Sequence, residues 1–231
     1  MKPKITVSIS VYNNYHLLIN ALISLQNQTF KDFEVIIIDD KSNKIENLTQ
    51  FNDLNIRFYI NSKNMGPDYC FNKSFKLSNT KFFCTLDADD ELTKDSLEIR
   101  HNTLNTSNCD LIHTGIYVKS KNNKNYSSPV DTSDILNFKE FINKKQKNFG
   151  INLNTFMYKK NSFQNFPLRK TKNSFTNHND YEFALRALLI FKSITLGKAT
   201  YVYNLHKPNH ETLYKNDKLT VLEKKYFDLI K

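Results

Sequence analysis

Ile5-Thr6-Val7-Ser8-Ile9-Ser10-Val11 and Val35-Ile36-Ile37-Ile38-Asp39-Asp40, with the segment between them, decide the fold. The first run alternates, placing Ile5, Val7, Ile9 and Val11 on one face and Thr6, Ser8 and Ser10 on the other, and reads as a strand. After Tyr12-Asn13-Asn14, residues Leu17, Leu18, Ala21, Leu22 and Leu25 share one helical face, with an Asn suited to cap it. Val35 to Ile38 is a continuous β-branched run that stops at paired acids. Strand, helix and strand at this spacing imply a parallel pair joined by a right-handed crossover. The expected fold class is therefore α/β, with a doubly wound sheet.

Ile56 to Ile60 offers a third strand and runs into Asn61-Ser62-Lys63-Asn64-Met65-Gly66. Gly66 is one of only four glycines in the chain. It suits a position that needs positive φ or close approach of something bound; a simple turn explains it equally well. Tyr69 to Leu77 reads as a helix. The next apolar run, Phe82-Phe83-Cys84-Thr85-Leu86, ends in Asp87-Ala88-Asp89-Asp90. Carboxylates belong beside water or a cation rather than inside a core. In open α/β sheets ligands bind beyond the carboxyl ends of the strands, so acids there can hold a hard divalent metal and present it to phosphates. A solvated acidic turn is the plain alternative. Polar or acidic loops at the ends of neighbouring strands, along the same edge, favour a site.

Beyond this point the pattern changes. Thr93 to Leu104 suits a helix, Leu111 to Val118 a strand, Lys119 to Ser133 a long polar loop, and Phe138 to Lys147 a basic helix. A loop of that length in a compact domain is often functional, and this one is placed to cover an acceptor. Asn154 to Tyr158 suggests a further strand. Asp180 stands at the start of an apolar helical pattern, where a carboxylate is also favoured by the helix dipole alone. Tyr201 to Leu205 is a last strand leading to His206, and Asn216 to Ile230 a closing amphipathic helix.

The 231 residues are 39% hydrophobic and 24% charged, ordinary for a globular chain long enough to bury a substantial core. No repeat or linker divides them, so a single domain is expected. The net charge of +10 favours anionic partners. Lysine clusters at 139–147 and 215–225 lack the interleaved stacking aromatics of nucleic-acid binders, so no nucleic acid is expected. No apolar run is long enough to span a bilayer and the amino terminus lacks a secretory pattern, which places the protein in the cytoplasm. Cys70, Cys84 and Cys109 show no metal-type spacing and read as reduced core thiols.

Together these residues resemble the family 2 glycosyltransferases, which have the GT-A fold. Val7-Ser8-Ile9-Ser10-Val11-Tyr12-Asn13, Gln26 to Glu34 running into Ile38-Asp39-Asp40-Lys41-Ser42, Asn64-x-Gly66 with Asn72, and Leu86-Asp87-Ala88-Asp89-Asp90 stand in the family's order and at its spacing. The likeness is close over the amino-terminal half. It is looser beyond, through Asn179-Asp180-Tyr181-Glu182 and Tyr203-Asn204-Leu205-His206. There it is most similar to the transferase domains of bacterial capsule polymerases of the chondroitin and hyaluronan type. The resemblance implies a Rossmann-like, mostly parallel central sheet flanked by helices, in one domain over 1–231. Residues 1–106 would bind nucleotide and 107–231 the acceptor.

It also implies roles. Asp40 would hydrogen-bond the nucleotide base, with Tyr12 and the backbone near Ser10 packing against it; Asn64, Asp87 and Asp89 would complete the nucleotide-sugar site. A carboxylate pairs with an imide N–H, which uracil has and cytosine lacks, so a UDP-sugar is the expected donor. Asp89 and His206 would bind the metal, with Asp90 as a helper. A shell containing imidazole suits Mn²⁺ better than Mg²⁺. Asp180 would be the catalytic base for inverting transfer to a hydroxyl of a glycan or lipid-linked saccharide acceptor. The setting implied is capsule, lipooligosaccharide or other surface polysaccharide synthesis at the inner face of the cytoplasmic membrane, with peripheral membrane association. Three residues depart from the pattern: Ser10 replaces Pro, Phe71 replaces Arg and Asn179 replaces Glu. If that Arg touches the diphosphate, another cation must take its place, with Lys63 and Lys73 as candidates. A non-catalytic carbohydrate- or nucleotide-binding domain of a larger synthase is the main alternative. A sugar nucleotidyltransferase would need a glycine-rich loop where Tyr12-Asn13-Asn14 stands.

Overall fold

The computed structural model describes residues 2–119, 125–127, 152–166 and 179–205. Within them run β1 (Ile5–Val11), α1 (Tyr15–Gln26), β2 (Phe33–Asp39), β3 (Ile56–Ile60), α2 (Pro67–Leu77), β4 (Phe82–Thr85), β5 (Glu91–Leu92) and α3 (Ser96–Thr106). There follow β6 (Leu111–Lys119), β7 (Asn125–Ser127), β8 (Phe156–Lys159), α4 (Asn179–Ile190) and β9 (Ser193–Asn204). The sheet order is β3-β2-β1-β4-β8-β6-β9-β5, with β7 on β6. Strands β3, β2, β1 and β4 are mutually parallel, as the crossover argument requires. β8 runs antiparallel between β4 and β6, and β9 returns parallel to β6.

The acidic turn links the middle of this sheet to its far edge. β5 pairs with β9, four strand positions from β4 in sheet order, yet only Leu86 to Asp90 separate β4 from β5. Four inter-strand steps span about 19 Å in a flat sheet, near the full reach of so short a connection. The sheet therefore curls, and the acids sit at the rim where it turns.

The alternation in β1 does not mark a wet face. Ile5, Val7, Ile9 and Val11 pack with α1 and α3 in one core layer. On the other face Thr6 Oγ1 lies 2.8 Å from Glu34 Oε1, Ser78 Oγ and Thr80 Oγ1, while Ser8 Oγ bonds Ser74 Oγ of α2 at 2.6 Å. Short hydroxyl side chains let α2 dock closely while satisfying one another, as burial requires. The second layer is aromatic: Phe71 and Phe75 of α2 meet Phe83, Tyr158, Phe163 and Phe183 of α4.

The structure departs from the sequence reading in several places. Asn14 is the N-cap of α1 without a side-chain cap bond; its carbonyl serves Leu17 and Leu18. Within the expected loop at 119–133, residues 125–127 form β7, paired with Tyr117 to Lys119. Asn154 lies in a 3-10 turn, Leu153–Thr155, so the strand begins only at Phe156. β9 starts eight residues earlier than expected, since Ser193 to Thr200 carries too mixed a pattern to declare itself. Its pairing with β6 shifts register around Gly115, where a Cβ would stand 3.1 Å from the Gly197 carbonyl oxygen, so any larger residue would push the backbones apart by a few tenths of an ångström. All three cysteines are free thiols, and burial pushes Cys84 up to about 11. Among the described residues no helix is long and apolar enough to cross a membrane. The helices expected at 138–147 and 216–230, and His206, lie outside the described residues.

Candidate active site

Three elements end at one rim. Beyond β4, Asp87, Asp89 and Asp90 bring carboxylate oxygens within 4.8 Å of one another. Asp87 is exposed, Asp89 half-buried and Asp90 buried. Burial, and then the charge of Asp87, pushes the Asp90 carboxyl up to about 8, against hydrogen bonds from Tyr201 and Asn204 that favour the anion. Asp90 accepts the Tyr201 hydroxyl and, at 2.7 Å, the Asn204 amide N–H. The Asn204 side chain also donates to the Asp89 carbonyl at 2.9 Å, latching β9 to the turn. Crowded like charges of this kind fit a hard divalent cation, whose binding relieves their repulsion.

Beyond β2, Asp39 and Asp40 face different ways. Asp39 is fully buried, accepting Tyr15 Oη at 2.5 Å and the Ser42 N–H at 2.7 Å. Asp40 points into the rim. Its Oδ1 accepts Asn61 Nδ2 and the Met65 N–H, and its Oδ2 the Gly66 N–H, at 2.7, 2.9 and 2.7 Å. Gly66 has φ +86°, the left-handed region that turns its N–H toward Asp40 as the chain enters α2. Asn13, at φ 58°, ties the loop after β1 to the one after β2 by accepting the Asn43 N–H at 2.8 Å. Asparagine tolerates that conformation.

Between these loops opens a cleft of about 280 Å³. Every residue expected from sequence to bind the nucleotide sugar lines it: Ser10, Tyr12, Asp40, Asn64, Asp87 and Asp89. Such a volume is near the lower end for small-molecule sites. A smaller chamber of about 40 Å³ adjoins it, sharing Ser10, Pro67 and Asp87 and adding Phe71, Thr85 and Asn154. Phe71 does not replace a cation there. Its ring sits in the aromatic layer, 5.2 Å from that of Phe183. Lys73 is occupied as scaffold, donating to Asn61 Oδ1 at 2.7 Å, whereas Lys63 is exposed beside Asn64.

Asp180 lies in the first turn of α4. The same helix contributes Phe183 to the contact with α2, whose amino end borders the cleft. Asn204, bonded to the acidic turn, precedes the predicted ligand His206 by two residues. Sequence reasoning missed Tyr201, Asn204 and Asn154. The last donates from Nδ2 to Asp87 Oδ2 at 2.7 Å. Tyr201 and Asn154 carry no motif, and Asn204, although inside the Tyr203-Asn204-Leu205-His206 run, shows no local sign of its contact, because each acts across a long sequence separation.

Residues 6–166 match the family model described as Glycosyl transferase family 2, and the chain belongs to that family. An uncharacterized glycosyltransferase of Rickettsia bellii is 34% identical over 137 residues, covering 55% of this chain and 20% of the relative. The GalNAc(5)-diNAcBac-PP-undecaprenol beta-1,3-glucosyltransferase of Campylobacter jejuni is 36% identical over 101 residues, covering 41% of this chain and 32% of the relative. The chain thus spans a third or less of the length of these curated relatives. Among solved structures, S. aureus TarS 1-349 in complex with UDP-GlcNAc superposes with a TM-score of 0.72 at 21% identity, over 90% of this chain and 60% of that one. The GT-A architecture expected from sequence is the one observed.

Proposed function

We propose that this domain is a metal-dependent inverting glycosyltransferase that moves a sugar from a UDP-sugar to a hydroxyl of a glycan or lipid-linked saccharide, in surface polysaccharide synthesis. The observation that carries the reading is the convergence of Asp40, Tyr12, Asp87 and Asp89, from three separate loops, on one cleft. The UDP and UDP-GlcNAc complexes of TarS and the lipid-linked glycan in the Campylobacter relative's name point to the same donor and acceptor classes.

Asp40 selects the base. Three backbone and amide donors fix its plane while Oδ2, with one bond from Gly66, keeps room for an imide N–H. The weak S–H of Cys70 beside it, whose pKa burial and then Asp40 push up to about 12, is a donor that an imide outcompetes. Tyr12, exposed at the cleft edge, offers its ring face to the base. Asp89 and His206 are the proposed metal ligands, with Asp87 and Asp90 beside them; Asn204, against Asp89, brings the chain to within two residues of His206, a reach of about 7 Å. The cation, when bound, supplies neutralisation of charge on the departing diphosphate. Lys63, exposed beside Asn64 on the cleft wall, is the remaining candidate to add to that neutralisation in the absence of the family's Arg. Asp180 takes the acceptor hydroxyl's proton from the face opposite the leaving group, so one displacement inverts the anomeric centre.

A panel of nucleotide sugars incubated with Mn²⁺ tests the reading through UDP release. Hydrolysis of at least one UDP-sugar above background is expected. Asp180→Asn should lower turnover by roughly 10²–10⁴ fold, the usual worth of a general base, while calorimetry shows metal-dependent UDP binding retained. Loss of UDP binding in that variant would contradict the assigned role. A panel without any turnover would favour a non-catalytic domain.

A further inference from the structure

We propose that Asn154 is a positioning residue for Asp87, locking one carboxylate oxygen so that the other is presented to the cation and the donor; this rests on reading the acidic turn as a metal and diphosphate site. Asn154 is buried, and its backbone and its side-chain nitrogen are all engaged. Its N–H donates to Asn152 Oδ1 at 2.9 Å, its carbonyl accepts Arg100 Nη1 at 2.8 Å, and its Nδ2 donates to Asp87 Oδ2 at 2.7 Å. Arg100 is itself fully buried and anchored at its Nε on Thr200 Oγ1, 2.8 Å away. The amide reaching Asp87 is therefore fixed at its backbone by a buried cation, itself held by β9.

The chemistry of the pair matters. A carboxylate only accepts, so the amide must turn its nitrogen toward Asp87. An amide holds the carboxylate without cancelling its charge, whereas lysine or arginine in that place would compete with the metal. Asp87 is the exposed member of the acidic cluster, and only some of its staggered rotamers aim it at the cleft. Asp87 lines both the main cleft and the smaller chamber, whereas Asn154 lines only the smaller one, so the bond holds Asp87 from the chamber side. Partners that orient metal ligands in this way are typically worth roughly 10–100 fold in metal affinity.

The test is a double-mutant cycle on the purified protein, reading Mn²⁺ affinity and Mn²⁺-dependent UDP affinity by calorimetry, with thermal melts of each variant. Asn154→Ala should weaken both affinities roughly tenfold in the Asp87 background and by less than twofold in the Asp87→Ala background. Asn154→Leu, which fills the space without a donor, should behave alike and serves where the alanine variant melts too early. Equal weakening in both backgrounds, or wild-type affinity in Asn154→Ala, would overturn the positioning role. A wild-type protein that binds neither Mn²⁺ nor UDP would overturn the site reading itself, and the proposal with it.

Discussion

Acids end two strands that flank β1, and the protein treats them in opposite ways. Beyond β2, Asp39 and Asp40 are buried and met by donors from the protein itself: Tyr15, Ser42, Asn61, Met65 and Gly66. Beyond β4, Asp87, Asp89 and Asp90 are held within 4.8 Å of each other, and the burial of Asp90 raises its affinity for a proton rather than relieving its charge. Acceptors filled during folding can shape a loop or read a ligand's N–H. Acceptors still crowded by their own charge suit completion from outside by a cation, the role proposed for them. Asp40 combines both uses, with its plane set by the chain and part of one oxygen left for a ligand.

Removing the second kind of acid should matter most. Asp89→Ala is expected to cut UDP-sugar turnover by roughly 10³ fold or more and to flatten the Mn²⁺ dependence of UDP binding, since it removes electrostatic stabilisation of the leaving group. Unchanged Mn²⁺ dependence would erase the contrast between the two ends. Asp40→Asn should come next, weakening UDP by about 10–100 fold, the worth of one charged hydrogen bond, and narrowing the preference for UDP over CDP in competition calorimetry. Asp39→Ala should lower stability by about 1–3 kcal/mol in urea melts by stranding the buried Tyr15 hydroxyl, with UDP affinity within twofold of wild type. Were it to lose UDP as Asp40→Asn does, the division of labour within that pair would be wrong.

The effect expected to be smallest on ligand binding sharpens the comparison from a group outside both ends. Burial, with Arg100 nearby, pushes His113 down to about 3, so in the fold it stays neutral. The unfolded chain protonates near 6.5 and the folded one does not until about 3, so between these values the unfolded state binds more protons. Stability is full above 6.5 and falls as pH drops, by up to about 1.4 kcal/mol per pH unit. His113→Gln should flatten that part of the urea-midpoint profile between pH 6.5 and 4, while leaving Mn²⁺-dependent UDP binding at pH 7.5 unchanged.

The amino-terminal strands were legible because a buried parallel strand writes itself as a run of apolar residues, and Val35 to Ile38 and Phe82 to Cys84 do so without interruption. What the hydroxyls of Thr6 and Ser8 meet was not legible, since their partners Ser74, Ser78 and Thr80 lie more than sixty residues on. β7 and the first part of β9 were not legible: both lie in polar sequence whose strand character comes from the β6 partner rather than from periodicity. Asn154 and Asn204 escaped for a related reason. Nothing local shows that these two asparagines reach Asp87 and Asp89 from 67 and 115 residues away.

The sequence by itself determined the sheet's parallel half, the rim on which Asp40, Asp87 and Asp89 stand, and the family, because hydrophobic periodicity and motif spacing are local properties that survive without coordinates. Only the tertiary structure decided which protein donors reach each acid and which acids crowd one another. That outcome depends on donors arriving from α1, the 61–66 loop, the 3-10 turn and β9, and a donor's arrival is a matter of how the sheet curls rather than of any residue's neighbours in the chain.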